Sequence, residues 1–96
     1  MIYDVVARET ISDVSSAVGF TSNKLVARNS YAIIQAVDGD IRFTLDGTTP
    51  TASLGLRLTE DSSVEVWGQA SMKDFKCIDD GGTAELEVLY MGRATA

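Results

Sequence analysis

The stretch "DIRFTLDGTTPTAS", residues 40–53, decides how this chain folds. Ile41, Phe43 and Leu45 alternate with Arg42, Thr44 and Asp46, the two-residue period of a strand with one buried side. Asp46 and Gly47 then supply a turn residue and a position suited to positive φ. Pro50 fixes its own φ and cannot donate to a strand ladder. Thr44, Thr48, Thr49 and Thr51 bring hydroxyls that satisfy turn backbone groups. The segment reads as architecture, with Asp46, Gly47, Thr48 and Pro50 as a structural turn motif. A ligand loop is the rival reading, because binding residues concentrate on loops.

The same period recurs outward from this stretch. "SVEVWG" sets Val64 and Val66 on one face, and "AELEVLY" sets Leu86, Val88 and Tyr90 on one face. "VDGDI" joins "YAIIQAV" to "IRFTLD" through a D-G-D connection of hairpin length, and "DDGG" at 79–82 joins "FKCI" to "AELEVLY" in the same manner. "ASMKDF" at 70–75 has room for a single helical turn between two strands. The expected fold is all-β, an antiparallel β-sandwich of immunoglobulin-like or jelly-roll-like kind with an irregular N-terminal arm. Residues 1–30 read as that arm, with "IYDVVAR" as an edge strand and "ETISDVSSAVGFTSNK" as a long loop. Residues 31–96 form the sandwich core, and the whole is a single domain.

Composition bounds the function. The chain has 96 residues, 45% of them hydrophobic and 23% charged, so it is a globular chain with one modest core. No apolar run is long enough to cross a bilayer as a helix, and no membrane partner is expected. The start, "MIYDVVARET", lacks a basic leader and a long apolar stretch, so synthesis in a cytoplasm is expected. Net charge is −6, and the eight basic residues are scattered. Nucleic-acid binding needs clustered Lys and Arg, so no such partner is expected.

Chemistry is thin. With no histidine and a single cysteine, neither a Ser-His-Asp device nor the usual zinc, haem or copper ligand set can be built. Cys77 reads as a small buried hydrophobe. Asp38, Asp40 and Asp46 lie near one hairpin and Glu60 and Asp61 near the next turn, so a carboxylate pair for acid–base work, or a Ca²⁺ site, is the remaining chemical reading. Asp in turns ordinarily bonds its own backbone, so no catalytic residue, cofactor or metal is expected. Trp67 falls on the strand face opposite Val64 and Val66, which leaves it for a ligand or a subunit contact. Phe20 and Tyr31 join it as candidate contacts.

Two resemblances add to this reading. "IRFTLDGTTPTAS" resembles the strand-and-turn segment of chitobiase C-terminal-like domains, immunoglobulin-like sandwiches appended to carbohydrate-active enzymes. Over nearly the whole chain, the order "AVGFTSNKL" (17–25), "YAIIQAVDGDIRFTLDGTTPTASLGLRL" (31–58), "VEVWGQASMKDFKCI" (64–78) and "AELEVLY" (84–90) resembles small stand-alone virion proteins of tailed bacteriophages. Cys77 and Asp79 depart from it, in a stretch often more basic in that family. The longer resemblance implies a structural role in the virion: a capsid decoration or cement protein, a homo-oligomer bound to the major capsid protein or another virion protein. A head–tail connector or tail-associated protein is the alternative within that class. The shorter resemblance implies a carbohydrate-binding module, with Trp67, Tyr3, Phe20 and Tyr31 as stacking platforms.

Overall fold

The computed structural model describes residues 2–80 and 83–94. The chain is an all-β sandwich of two antiparallel sheets. Its strands are β1 (Tyr3–Ile11), β2 (Asn29–Val37), β3 (Ile41–Thr44), β4 (Leu56–Leu58), β5 (Ser63–Trp67), β6 (Lys76–Asp79) and β7 (Glu85–Arg93). A short helix, α1 (Gln69–Asp74), lies between β5 and β6, where the sequence leaves room for one turn.

One sheet has four strands in the order β1-β7-β2-β5; the other has three in the order β4-β3-β6. Alternation builds the core between them. Ala32, Ile34 and Ala36 of β2 and Leu86, Val88 and Tyr90 of β7 face Ile41 and Phe43 of β3, Leu58 of β4 and Cys77 of β6, all buried. The intervening residues face outward, so a one-residue slip in any of these strands would expose its core set.

The D-G connections behave differently from the hairpin expectation. β2 pairs with β5 and β7, whereas β3 pairs with β4 and β6, so "VDGDI" carries the chain from one sheet to the other. Asp38 takes φ 61° and Gly39 φ 149° to make that corner. The β6-to-β7 connection also changes sheets, and its Gly81 and Gly82 lie outside the described residues. Both short connections are long enough for a hairpin, but β2 and β7 each bury a continuous apolar face against the opposite sheet. That burial, of order 25 cal/mol per Å², outweighs the local preference for pairing neighbours. The two corners meet: Asp80 N–H donates to the Asp40 carbonyl at 2.9 Å.

The true hairpin is β3–β4, and "LDGTTPTASLG" is its long connection. Asp46 Oδ1 accepts the Thr48 N–H at 3.0 Å, Gly47 has φ 85°, and Pro50 is buried. Thr51 and Leu54 then exchange backbone bonds at 3.0 and 3.2 Å.

β1 runs to Ile11 and is the edge of the four-stranded sheet, paired only with β7. Residues 12–28 are irregular apart from a 3-10 turn at Ser22–Lys24, yet they pack on their own core. Val14 and Phe20 are buried, Val18 and Cys77 exchange backbone bonds at 2.9 and 2.8 Å, and Asp79 N–H donates to the Val14 carbonyl at 2.9 Å. This segment thereby covers the free edge of β6, a strand that would otherwise invite pairing. Polar composition predicts irregular backbone here; two apolar side chains and a sheet edge hold it down.

Candidate functional site

The outward face of the four-stranded sheet is divided along its length. Strand parity places Tyr3, Val5, Arg8 and Thr10 of β1 on this face. Glu85, Glu87, Leu89 and Met91 of β7, Tyr31, Ile33, Gln35 and Val37 of β2, and Ser63, Glu65 and Trp67 of β5 share it. One end is polar: Glu87 accepts from Arg8 at 2.9 Å and from Thr10 at 2.5 Å. The other end is apolar, because Tyr31 stands opposite both Trp67 and Met91, and Ile33 stands opposite Leu89.

Three aromatic rings meet at that apolar end. Tyr31 and Trp67 stack with centroids 4.1 Å apart and planes 15° from parallel. Tyr3 meets both edge-on, at 5.4 and 5.8 Å. Aromatic pairs in such geometries contribute about 0.5–1.5 kcal/mol beyond area burial, enough to hold the patch as one rigid surface. Trp67 remains 50% exposed and Val5 56%. The Trp67 indole N–H donates to Glu65 Oε1 at 2.9 Å, which fixes the ring's orientation. The arrangement suits contact with another surface: aromatic area of low conformational entropy, with the Glu65 carboxylate beside it.

Trp67 and Tyr31 are thus brought together, and Tyr3 joins them. The aromatic residues are dispersed in the sequence, so only the pairing of β2 with β5 and of β1 with β7 creates the cluster. Phe20 is placed elsewhere. It is 8% exposed, stacked on Phe75 at 4.2 Å and edge-on to Tyr90 at 5.4 Å, so most of its ring serves the core rather than a stacking platform. The turn motif Asp46, Gly47, Thr48 and Pro50 lies in the β3–β4 connection, in the sheet that does not carry the aromatic patch.

Of the carboxylates singled out by sequence, Asp46 and Asp40 are engaged in structural contacts. Asp40 accepts the Glu60 N–H at 2.8 Å and an Arg57 N–H at 2.7 Å. The Glu60 N–H first, and Arg57 second, hold its carboxyl below the usual Asp value. Asp80 faces Arg57 at 3.3 Å and Arg42 at 3.5 Å, and Arg42 also donates to the Gly55 carbonyl at 3.1 Å. These contacts tie both sheet-crossing corners to the β3–β4 hairpin. Among the described residues, no group of three or more carboxylate or thiol side chains is arranged to hold a metal ion.

Glu9 is a further polar centre that the sequence did not signal. It lies on the core-facing side of β1, accepts from the Tyr90 hydroxyl, and takes the Thr21 hydroxyl at 2.5 Å and the Thr21 N–H at 3.3 Å. It therefore joins edge strand, central strand and irregular segment. Burial first, and the Glu9 carboxylate second, raise the Tyr90 hydroxyl above its ordinary pKa. Burial alone pushes the Cys77 thiol up to about 12, so at neutral pH it is a protonated, unreactive thiol.

No family model matches the chain, and neither a curated protein nor a solved structure matches it.

Proposed function

We propose that this chain is a structural protein of a tailed-bacteriophage virion, a decoration protein that seats on the outer capsid surface as an oligomer. The observation that carries the reading is the rigid, half-exposed patch of Tyr3, Tyr31 and Trp67 at one end of an otherwise polar sheet face. Large aromatic residues on a preformed surface are the usual anchors of protein contacts. The resemblance of the whole chain to small phage virion proteins supplies the class of partner, the major capsid protein or another virion protein. The net charge of −6 suits a position outside the packaged nucleic acid. The elongated shape, 44 × 23 × 20 Å, lets one end bind while the other projects.

Co-sedimentation of the recombinant chain with purified particles tests this. The wild-type chain is expected to pellet with capsids and Trp67→Ala to remain in the supernatant. Release of the wild-type chain from heads together with retention on tails would move it to the connector or tail. Exposed Trp67 also fits a sugar platform, although Tyr31 covers one face of its ring. Glycan binding that is lost in Trp67→Ala, with no particle association, would favour that second reading.

A further inference from the structure

We propose that the outer edge of β5 binds a basic, extended peptide segment of another protein, which adds as an antiparallel strand beside Ser63, Glu65 and Trp67. In the larger sheet β5 pairs with β2 alone. Ala36 N–H donates to the Ser62 carbonyl at 3.2 Å and Gly68 N–H to the Ser30 carbonyl at 3.0 Å, in register with the ladder between them. Successive residues of a strand direct their backbone groups to opposite sides, so β2 takes those of Val64 and Val66. The N–H and C=O groups of Ser63, Glu65 and Trp67 point away from it, and among the described residues no strand meets them.

The other three edges of the sandwich are blunted. β1 carries a register shift between Val5 and Ala7, β4 is three residues long, and β6 is covered by the backbone of Val14 and Val18. Such devices keep sheet edges from pairing. β5 has five residues, no glycine or proline, and an unbroken register with β2. Its sequence, SVEVW, is rich in residues that favour strands. An edge of this kind presents donors and acceptors at strand spacing, which another extended backbone matches along its length.

Charge selects the occupant. From Leu58 to Met72 the chain has three acidic residues, Glu60, Asp61 and Glu65, and no basic one. β2 bears no charged side chain, and none of the three carboxylates is ion-paired among the described residues. Glu65 is exposed at the middle of β5, with one oxygen on the Trp67 indole N–H. A second copy would bring the same negative charges to the edge, so self-pairing is disfavoured. A Lys or Arg directly opposite Glu65 makes the favourable cross-strand pair. This inference stands apart from the virion reading, because strand addition is measured on the isolated chain.

The test is a titration of the isotopically labelled full chain with acetyl-Thr-Val-Lys-Val-Thr-amide, followed by amide chemical shifts. Saturable shifts are expected at Ser63, Glu65 and Trp67. The same peptide methylated on the lysine backbone nitrogen, which loses the N–H facing Glu65, should bind about tenfold more weakly or not at all. Methylation on the backbone nitrogen of the next valine, whose N–H faces away from β5, should leave the affinity unchanged. Exchange of lysine for glutamate in the peptide should weaken binding about fivefold, and Glu65→Lys should reverse that preference. No saturable shift at β5, equal affinity of the two methylated peptides, or no preference between lysine and glutamate would each overturn the proposal. Dimerisation of the chain through β5 that excludes the peptide would assign the edge to a second copy and overturn it as well.

Discussion

At Gly92 a side chain is excluded by the backbone itself. A Cβ there would sit 2.5 Å from the Arg28 carbonyl oxygen and 2.7 Å from Val6 Cγ2, beside the bulge where β1 shifts register between Val5 and Ala7. Gly92→Ala is expected to destabilise the fold by about 1–3 kcal/mol, read as a lower denaturant midpoint at unchanged slope. Cys77 makes a second prediction. Its folded pKa lies above its ordinary value of 9.0, so its contribution is complete below pH 9 and is lost as pH rises toward about 12. Tyr90, also raised, adds to the loss above its ordinary 10.0. The carboxyls of Asp13, Asp40 and Asp46 are lowered. Their contribution is present above the ordinary value of 3.8 and is lost as pH falls through the folded values. Denaturant midpoints should therefore form a plateau near neutrality and fall on both sides, and Cys77→Ala should flatten the alkaline side.

Among the elements, β1 and the segment after it decide whether the sandwich closes. Glu9 links them, so Glu9→Ala and Tyr90→Phe should each destabilise, by about 1–3 kcal/mol for the change that leaves a buried partner unsatisfied. The double mutant should cost less than their sum, and simple additivity would mean that the pair is not coupled. The backbone bonds of Val18 and Asp79 make a related prediction for hydrogen exchange. Amides of Val18, Cys77 and Asp79 should be protected well beyond those of Ser12 to Ser16, although Val18 lies in an irregular stretch. Strands of alternating pattern were legible in the sequence: β3, β5 and β7 fall where Ile41, Val64 and Leu86 open an apolar face, and the helical turn falls within one residue of its expected start. The sheet to which each strand belongs was not legible. A D-G-D connection has the same composition whether it folds back or crosses over, and only the competition for buried area between β2, β3 and β7 settles it. The aromatic patch was half legible, since strand parity exposes Trp67, but no local pattern joins it to Tyr3 across β2 and β7.

The whole molecule is held together by its most distant parts. β7 lies between β1 and β2, so one of the two inner strands of the larger sheet is the last strand to be reached along the chain. Such non-local pairing predicts folding slower than that of a helical domain of the same size. The resulting body is long and acidic, with its exposed aromatic surface gathered at one end of one sheet. A decoration role requires that this end, and not the polar end around Arg8 and Glu87, meets the capsid. The most direct measurement is the density of purified particles by cryo-electron microscopy. The expected result is this sandwich at repeated lattice points of the shell, with Tyr31 and Trp67 buried against a neighbouring protein. Particles that carry no copy of the chain on head, connector or tail would contradict the virion role.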